Sequence, residues 1–483
     1  MKANLVIRKY INDPVYGGIP LTDLEVQLLD TPIFQRLRGL KQLAFTNYVF
    51  PGADHSRFSH SLGVLFIMGL MTDFLKQNFN LSQDDVVKLR TAALLHDIGH
   101  YPLSHLGESV YGFIEDSKNA DTLIPDAEDS QLTNGNKLYQ LASYHSKTAH
   151  HEHLGAYIVE NNTEIKTLLE NHELNPVEIS SIFTGQVGSS NNLYSQLLHS
   201  SLDADRLDYL LRDSYQTGVK YGLVDLQYLI RLLMIIKDPK TKQRLLVCNK
   251  KGQHVAEHFL MSRYFHYSQV IHHKTNSAFE GLVKCLYIKL LQKHKFLFNN
   301  LAEIHQNVNE QTFLNFKDSF LEYALETYDK TTDDEDYHVL YEMFKKRIRP
   351  KVVFELKDIY ETEPSPQFTI LKWILKNEPE KIHDCIGHER WGYNIAPITL
   401  EKVHAQYPIN YESNDHEEAL RDAIKLYDLK EDSISYLGAD KLSIIGKLSN
   451  YRSEFIRIYI FEKDINDERC KLIYERINRL LQS

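Results

Sequence analysis

The sequence predicts a mainly α-helical protein with a short β-hairpin and a smaller C-terminal α+β region. Three observations carry that reading. Apolar residues recur at three- and four-residue spacing from Leu21 to Ile114 and again beyond His151. RLLVCNKKGQHVAEHF reads as a strand, a Lys-Gly turn and a return. Beyond about Pro350, β-like runs such as KVVFEL and EFIRIYIFEK alternate with charged helices. At 483 residues, 43% of them hydrophobic, the chain has room for two or three domains. A core at 1–345 and an extension at 346–483 are expected.

In chain order, LTDLEVQLLDTPIFQRLRGLKQL, SLGVLFIMGLMTDFLKQ and DDVVKLRTAALLHDIGH carry the first helical pattern. Ser82, followed by Asp84 and Asp85, marks a helix start with acidic residues in the first turn. The pair His96-Asp97 then falls near the end of a buried or amphipathic helix. Residues 115–147 are polar, and a loop or insertion is expected at about 116–147. Helical pattern resumes in HEHLGAYIVENN and SSLDADRLDYLLRDSYQTG, then in one long helix, MSRYFHYSQVIHHKTNSAFEGLVKCLYIKLLQKH. TTDDEDY near Asp333 reads as a solvated loop.

The net charge of −10 argues against a duplex nucleic-acid binder, which presents a basic stripe, but leaves a small polyanionic ligand open. Cys248, Cys285, Cys385 and Cys470 form no CxxC pair, so a reducing, cytoplasmic setting is expected. No signal segment is read at the N-terminus, and the longest apolar stretches fall short of a membrane span.

The chemistry is concentrated in LLHDIGHYPLSH, where His96, Asp97, His100 and His105 lie among apolar residues that make each expensive unless paired. A His-Asp pair alone says little in a chain with 23 histidines, and His383-Asp384 is a control without an apolar helix before it. What distinguishes His96-Asp97 is company: His60 in RFSHSLGV, and Asp203, Asp205 and Asp208 in LDADRLDYLLRD. Two imidazoles with carboxylates suit zinc or a divalent first-row ion. Such an ion lowers the pKa of a bound water and so favours hydrolysis at phosphorus or a carbonyl. His100, one helical turn after His96, and His105, beyond the breaker Pro102, can reach the same cavity to bind a phosphoryl oxygen or protonate a leaving alkoxide. Singly, each of these histidines is more simply a satisfied core residue.

Residues 30–64, DTPIFQRLRGLKQLAFTNYVFPGADHSRFSHSLGV, with LLHDIGHYPLSH, DADRLDYLLRD and the opening INDPVYGG, closely resemble the HD-domain deoxynucleoside triphosphate triphosphohydrolases. The branch most similar is the one containing the animal SAM-and-HD-domain enzyme. The resemblance runs from about Asn4 to Leu290 and has no counterpart of a SAM domain.

It implies an HD-domain helical core that cleaves dNTP to deoxynucleoside and tripolyphosphate. His60, His96, Asp97 and Asp205 are the implied metal ligands, with Mn, Fe, Zn or Mg left open and additional Mg accompanying the triphosphate. Asp203 and Asp208 are read as neighbouring charges. His105 is the implied general acid, supported by Glu108 and His151, with His100 on the α-phosphate; His150 and His153 are read as peripheral. Arg57, Arg206, Arg263 and Lys274 fall at phosphate-contacting positions, and Gln42, Leu43, Tyr209 and Asp213 at the sugar pocket. Ile271 stands where the family stacks a Tyr on the base, so base preference does not carry over. Lys9, Asn12, Asp30, Gln35, Arg38 and Phe58 match an activating (d)NTP site, whose plainer reading is a charge-paired helix. A homotetramer follows from the family alone. The competing readings are another HD-type phosphohydrolase (a nucleotidase or phosphodiesterase) and a non-catalytic nucleotide sensor.

Overall fold

A hairpin opens the chain: β1 (Ile7–Asp13) pairs antiparallel with β2 (Gly17–Thr22). In this computed structural model the described residues are 4–119, 150–185, 192–237, 242–398, 423–440, 442–448 and 451–482. Thr22 ends the hairpin and starts α1 (Asp23–Asp30) through a reciprocal capping box with Glu25. A short α2 (Pro32–Gln35) follows, with Pro at its first position.

The centre is α3 (Arg57–Phe79), buried on nearly every side between α4 (Gln83–Leu95) and α10 (Ala204–Thr217). Against expectation, α3 is long and apolar enough to cross a membrane. Its apolar side chains instead fill the core, which is why its hydrophobicity runs all round rather than along one stripe. Gly63 is what lets α10 approach, since a Cβ there would sit 1.8 Å from Asp208 Oδ1. Ser82 and Asp85 form the capping box that begins α4, as the sequence predicts.

Helix α5 (His105–Asn119) carries the chain past Glu115, so the expected polar loop begins inside a helix; residues 120–149 of that insertion lie outside the described residues. Then come α6 (His151–Asn161), α7 (Thr163–Asn171), α8 (Pro176–Phe183), α9 (Asn192–Leu198), and, after α10, α11 (Leu226–Arg231).

The expected return strand after the Lys-Gly turn is absent, because Ala256, Phe259, Leu260 and Arg263 bury one face at helical spacing and make α12 (Gln253–His266). The hairpin lies on the other side, β3 (Leu233–Lys237) against β4 (Arg244–Asn249). The expected single long helix is also interrupted: a π-helical turn at Tyr267–Ile271 separates α12 from α13 (Lys274–Gln292). Such turns gather at functional sites. After α14 (Leu301–Gln306) and α15 (Asp318–Asp329), the acidic run proves not to be a loop alone. Asp334 caps α16 (Glu335–Lys345), whose first turn holds Glu335 and Asp336, where negative charge meets the helix dipole.

Beyond residue 346, β5 (Lys351–Tyr360) and β6 (Trp391–Ile398) flank the strand Arg452–Ile460 in an antiparallel sheet. α17 (Pro366–Asn377), α18 (Pro379–Ile386) and the last helix, Asp467–Leu480, bury Phe368, Leu371, Ile382, Ile473 and Ile477 in the apolar core of this region. Strands β7 (Lys425–Asp428) and β8 (Ser433–Tyr436) instead extend the core hairpin, with β7 parallel to β4. The architecture is mainly helical with small sheets, as the periodicity predicts.

Candidate active site

Three helix ends meet at one point. His60 lies in the first turn of α3, His96 and Asp97 directly follow α4, and Asp205 opens α10. His60 Nε2 is 2.9 Å from Asp205 Oδ1 and 3.6 Å from Asp97 Oδ2; His96 Nε2 is 3.4 Å from Asp97 Oδ1 and 3.8 Å from Asp205 Oδ1.

The far nitrogens settle the tautomers. His60 Nδ1 is 2.7 Å from Asp208 Oδ2 and His96 Nδ1 is 2.8 Å from the Ala93 carbonyl, so each Nδ1 donates its hydrogen away from the centre. Each Nε2 then faces inward, buried and turned toward the Asp97 and Asp205 carboxylates. Ligating histidines are held in this way. Burial opposes a charge on His60, yet its bonds to Asp205 and Asp208 and the field of Asp97 carry its imidazole up to about 10. Two imidazole nitrogens converging with the Asp97 and Asp205 carboxylates are a donor set that fits a divalent cation.

Arg57, expected on phosphate, reaches Asp97 Oδ2 at 2.8 Å, Ser104 Oγ at 3.0 Å and the Gln42 carbonyl at 3.4 Å. Burial works against ionised Asp97, but Arg57 and the neighbouring imidazoles hold it well below the usual carboxylate range. Asp203 is the N-cap of α10, accepting from the Arg206 amide at 2.7 Å, and the Arg206 guanidinium bonds Asp203 and the Ser200 carbonyl. Burial lifts Asp203 to about 6. Asp208 is no peripheral charge: it fixes His60 and is itself held by Arg212, which also reaches Asp13 at 2.7 Å. Sequence reasoning missed Arg212 and Asp13. The four-residue spacing of Asp208 and Arg212 in DRLDYLLRD was the available signal.

The segment after Asp97 is a turn, so His100 is offered from the loop that follows α4 and not from the helix itself. Leu103 and Ser104 take left-handed backbone (φ 62° and 56°), a conformation that costs such residues energy and persists only where surroundings impose it. Asp318 supplies part of that by accepting the Leu103 and Lys41 amides at 2.7 and 2.9 Å. The buried Arg36 donates to the carbonyls of Ile98, His100 and Phe316.

This turn delivers the second group. His100 is fully buried, Nε2 3.1 Å from Asp97 Oδ1, with its ring stacked on His151 at 3.9 Å. Burial, with Arg57 and His151, pushes its pKa well below the ordinary value. Glu108 Oε2 receives His105 Nδ1 at 3.2 Å and His151 Nδ1 at 2.9 Å. Despite burial, the two imidazoles hold Glu108 far below its usual range, and Glu108 overcomes burial to raise His151 to about 9. The His105 side chain is exposed. His153 is exposed as expected, but His150 is 3.3 Å from Glu152, whose other oxygen meets His199 at 3.0 Å.

On α10, Asp205, Tyr209 and Asp213 follow at four-residue intervals along one face. Asp213 lies 2.8 Å from His55 and 3.0 Å from His266, neither of them singled out by the sequence. Gln42 is buried and Leu43 half-buried nearby in sequence; Arg263 is buried against Tyr267, Ile271 ends the π-turn, and Lys274 is exposed at the start of α13. Of the six positions read as an activating site, Lys9 and Asn12 are exposed on β1 and Asp30 is exposed at the end of α1. Arg38 bonds Gln35 at 2.7 Å and stacks 3.6 Å over the Phe58 ring.

Residues 57–213 match the HD domain family. The chain is 28% identical to an uncharacterized protein of Methanocaldococcus jannaschii over 98% of its own length and 84% of that protein. It is 26% identical to the deoxynucleoside triphosphate triphosphohydrolase SAMHD1 of Danio rerio over 69% of its length, spanning about half (51%) of that relative. The fold is shared with a phosphohydrolase of Bacteroides thetaiotaomicron, with a TM-score of 0.63 and 24% identity over 94% of this chain and 99% of that one. The matched segment lies across the donor cluster, so residues 57–213 carry an HD domain, and SAMHD1 enzymes are among the relatives of the chain.

Proposed function

We propose that the protein is a metal-dependent dNTP triphosphohydrolase. The observation that carries this is adjacency: a four-donor cation site and a separate His105–Glu108–His151 group flank Asp97, with His151 Nε2 4.0 Å from its carboxylate. One group suits a phosphoryl centre and the other suits a proton transfer beside it. Similarity to SAMHD1 supports the choice of substrate.

When bound by His60, His96, Asp97 and Asp205, a divalent ion would supply Lewis acidity at the α-phosphate and make a water more acidic. Water adds to the α-phosphorus and releases a proton to solvent as the bond to the 5′-oxygen breaks, giving deoxynucleoside and tripolyphosphate. His105, as the imidazolium, gives its Nε2 proton to the departing 5′-oxygen while its Nδ1–H donates to Glu108 and holds the ring. His100 donates to an α-phosphate oxygen, and Arg206, Arg263 and Lys274 neutralise the rest, aided by Mg carried with the nucleotide. Exposed Lys9, Asn12, Asp30 and Arg38 would take an activating (d)NTP between subunits of a homotetramer.

A second reading, another HD phosphohydrolase acting on a smaller phosphate ester, is favoured by one feature: Arg57 and Arg206 already bond Asp97 and Asp203. Product analysis decides between them. With Mn²⁺ and each dNTP, alone and in pairs, the reading expects deoxynucleoside plus tripolyphosphate, lost in His105→Ala and Asp205→Ala. Orthophosphate from nucleoside monophosphates, with no tripolyphosphate from any mixture, would overturn it.

A further inference from the structure

The ring of His151 lies between two other imidazoles. One face is stacked on His100, with centroids 3.9 Å apart and planes 12° apart, and the other on His150, at 4.6 Å and 28°. His100 is fully buried, whereas the His150 side chain is 37% exposed, so His150 forms the solvent-side end of a three-ring stack.

That outer ring is clamped. His150 is the N-cap residue of α6, yet its side chain makes no capping bond and is free to lie over its neighbour. Its Nδ1 meets Glu152 Oε2 at 3.3 Å and its Nε2 lies 4.0 Å from Glu108 Oε1. The second oxygen of Glu152 meets His199 Nε2 at 3.0 Å, offered from the residue directly after α9. Two carboxylates with two imidazoles apiece thus stand side by side: Glu108 with His105 and His151, Glu152 with His150 and His199. Burial opposes charge on Glu152 and on His199 alike, yet Glu152 is held below its ordinary value by His199, and His199 above its own by Glu152. Such charge-assisted contacts are the firm ones.

The stack matters because one oxygen serves two rings. Glu108 Oε2 receives His105 Nδ1 at 3.2 Å and His151 Nδ1 at 2.9 Å. A tilt of His151 therefore moves Glu108, and with it the His105 ring. A misplacement of about 1 Å in a reacting group costs on the order of a hundredfold in rate. Flat rings in offset contact resist such a tilt, and an outer ring also keeps water from the face it covers.

We propose that His150 is a positioning residue for the proton transfer: fixed by Glu152 and His199, it closes the outer face of His151 and so holds Glu108 and His105 in line. This rests on the dNTP reading, in which His105 protonates the departing 5′-oxygen. His150 acts through His151, and Glu152 and His199 act through His150.

The test is steady-state kinetics on each dNTP with Mn²⁺, comparing wild type with His150→Ala, His150→Phe, Glu152→Ala and the double variant His150→Ala/Glu152→Ala; thermal melting reports folding. His150→Ala should lose about tenfold in kcat with KM changed by less than about twofold, because the proton donor is misplaced and the binding groups are not. His150→Phe, which keeps a flat ring over His151, should return kcat to within about threefold of wild type. Glu152→Ala should lose about threefold, and the double variant no more than His150→Ala alone, since the two residues act in series. An unchanged kcat in folded His150→Ala, or a rise in KM alone, overturns the inference and leaves the dNTP reading standing. A Phe variant no better than Ala, or losses that multiply in the double variant, likewise overturns it. If His150→Ala does not fold, Glu152→Ala and His199→Gln carry the comparison, and an unchanged kcat in both counts against the inference. Turnover of no dNTP by wild type overturns both.

Discussion

His60 Nδ1 stands 2.7 Å from Asp208 Oδ2, and Asp208 binds Arg212 through both carboxylate oxygens, at 2.9 and 3.0 Å. A fully buried ion pair thus sets which nitrogen of His60, a donor of the candidate cation site, faces inward. Asp208→Asn should weaken Mn²⁺ binding by about 10–100-fold while Asp205→Ala removes it. Isothermal titration calorimetry measures both, and an unaltered affinity in Asp208→Asn would refute this role.

The strained turn at Leu103 and Ser104 depends on Asp318, more than two hundred residues away in sequence, which accepts two backbone amides. Asp318→Ala strands a buried N–H and frees the turn that carries His100 and His105. A loss of about 2–4 kcal/mol in urea denaturation is expected. A loss under 0.5 kcal/mol would mean that the turn holds its shape unaided.

Glu108 and His151 give stability a pH profile. His151, raised from 6.5 to about 9 against the opposing effect of burial, binds its proton more tightly in the folded protein. Its contribution is complete below about pH 6.5 and disappears as pH rises through 9. It amounts to about 3 kcal/mol. Glu108, depressed, loses its contribution at the acid end instead. Unfolding free energy should therefore fall more steeply from pH 6 to 9 in wild type than in Glu108→Gln. Parallel curves would dismiss the pair.

Arg457, on the strand Arg452–Ile460, donates to the His272 carbonyl at 2.6 Å and lies 4.2 Å over Phe455. It pins the segment just after the π-turn, between Ile271 and Lys274, to the C-terminal sheet. Arg457→Met should raise KM for the nucleotide about fivefold with kcat little changed, because positioning is lost and the reacting groups are not. Steady-state kinetics check this; a fall in kcat alone would contradict it.

Much of the candidate cation site was legible in the linear sequence. His60, His96, Asp97 and Asp205 each sit at a helix end, and helix ends announce themselves through caps and apolar periodicity, as Ser82 and Asp85 do for α4. The resemblance of the motifs supplied the order of roles. Local pattern failed where one segment satisfied two templates: the residues after Lys251 can alternate as a strand or bury one face as a helix, and only the core opposite α12 decides.

What tertiary structure alone decided is pairing. Nothing in the sequence ties Asp208 to His60, Asp318 to Leu103, or His266 to Asp213, because each contact joins segments distant along the chain. A buried polar atom takes whatever partner the packing brings within 3 Å, so its role is fixed by burial and geometry that no spacing rule records. Residue type and helical period determined where the reactive groups would be offered; close packing determined which nitrogen and which oxygen face inward.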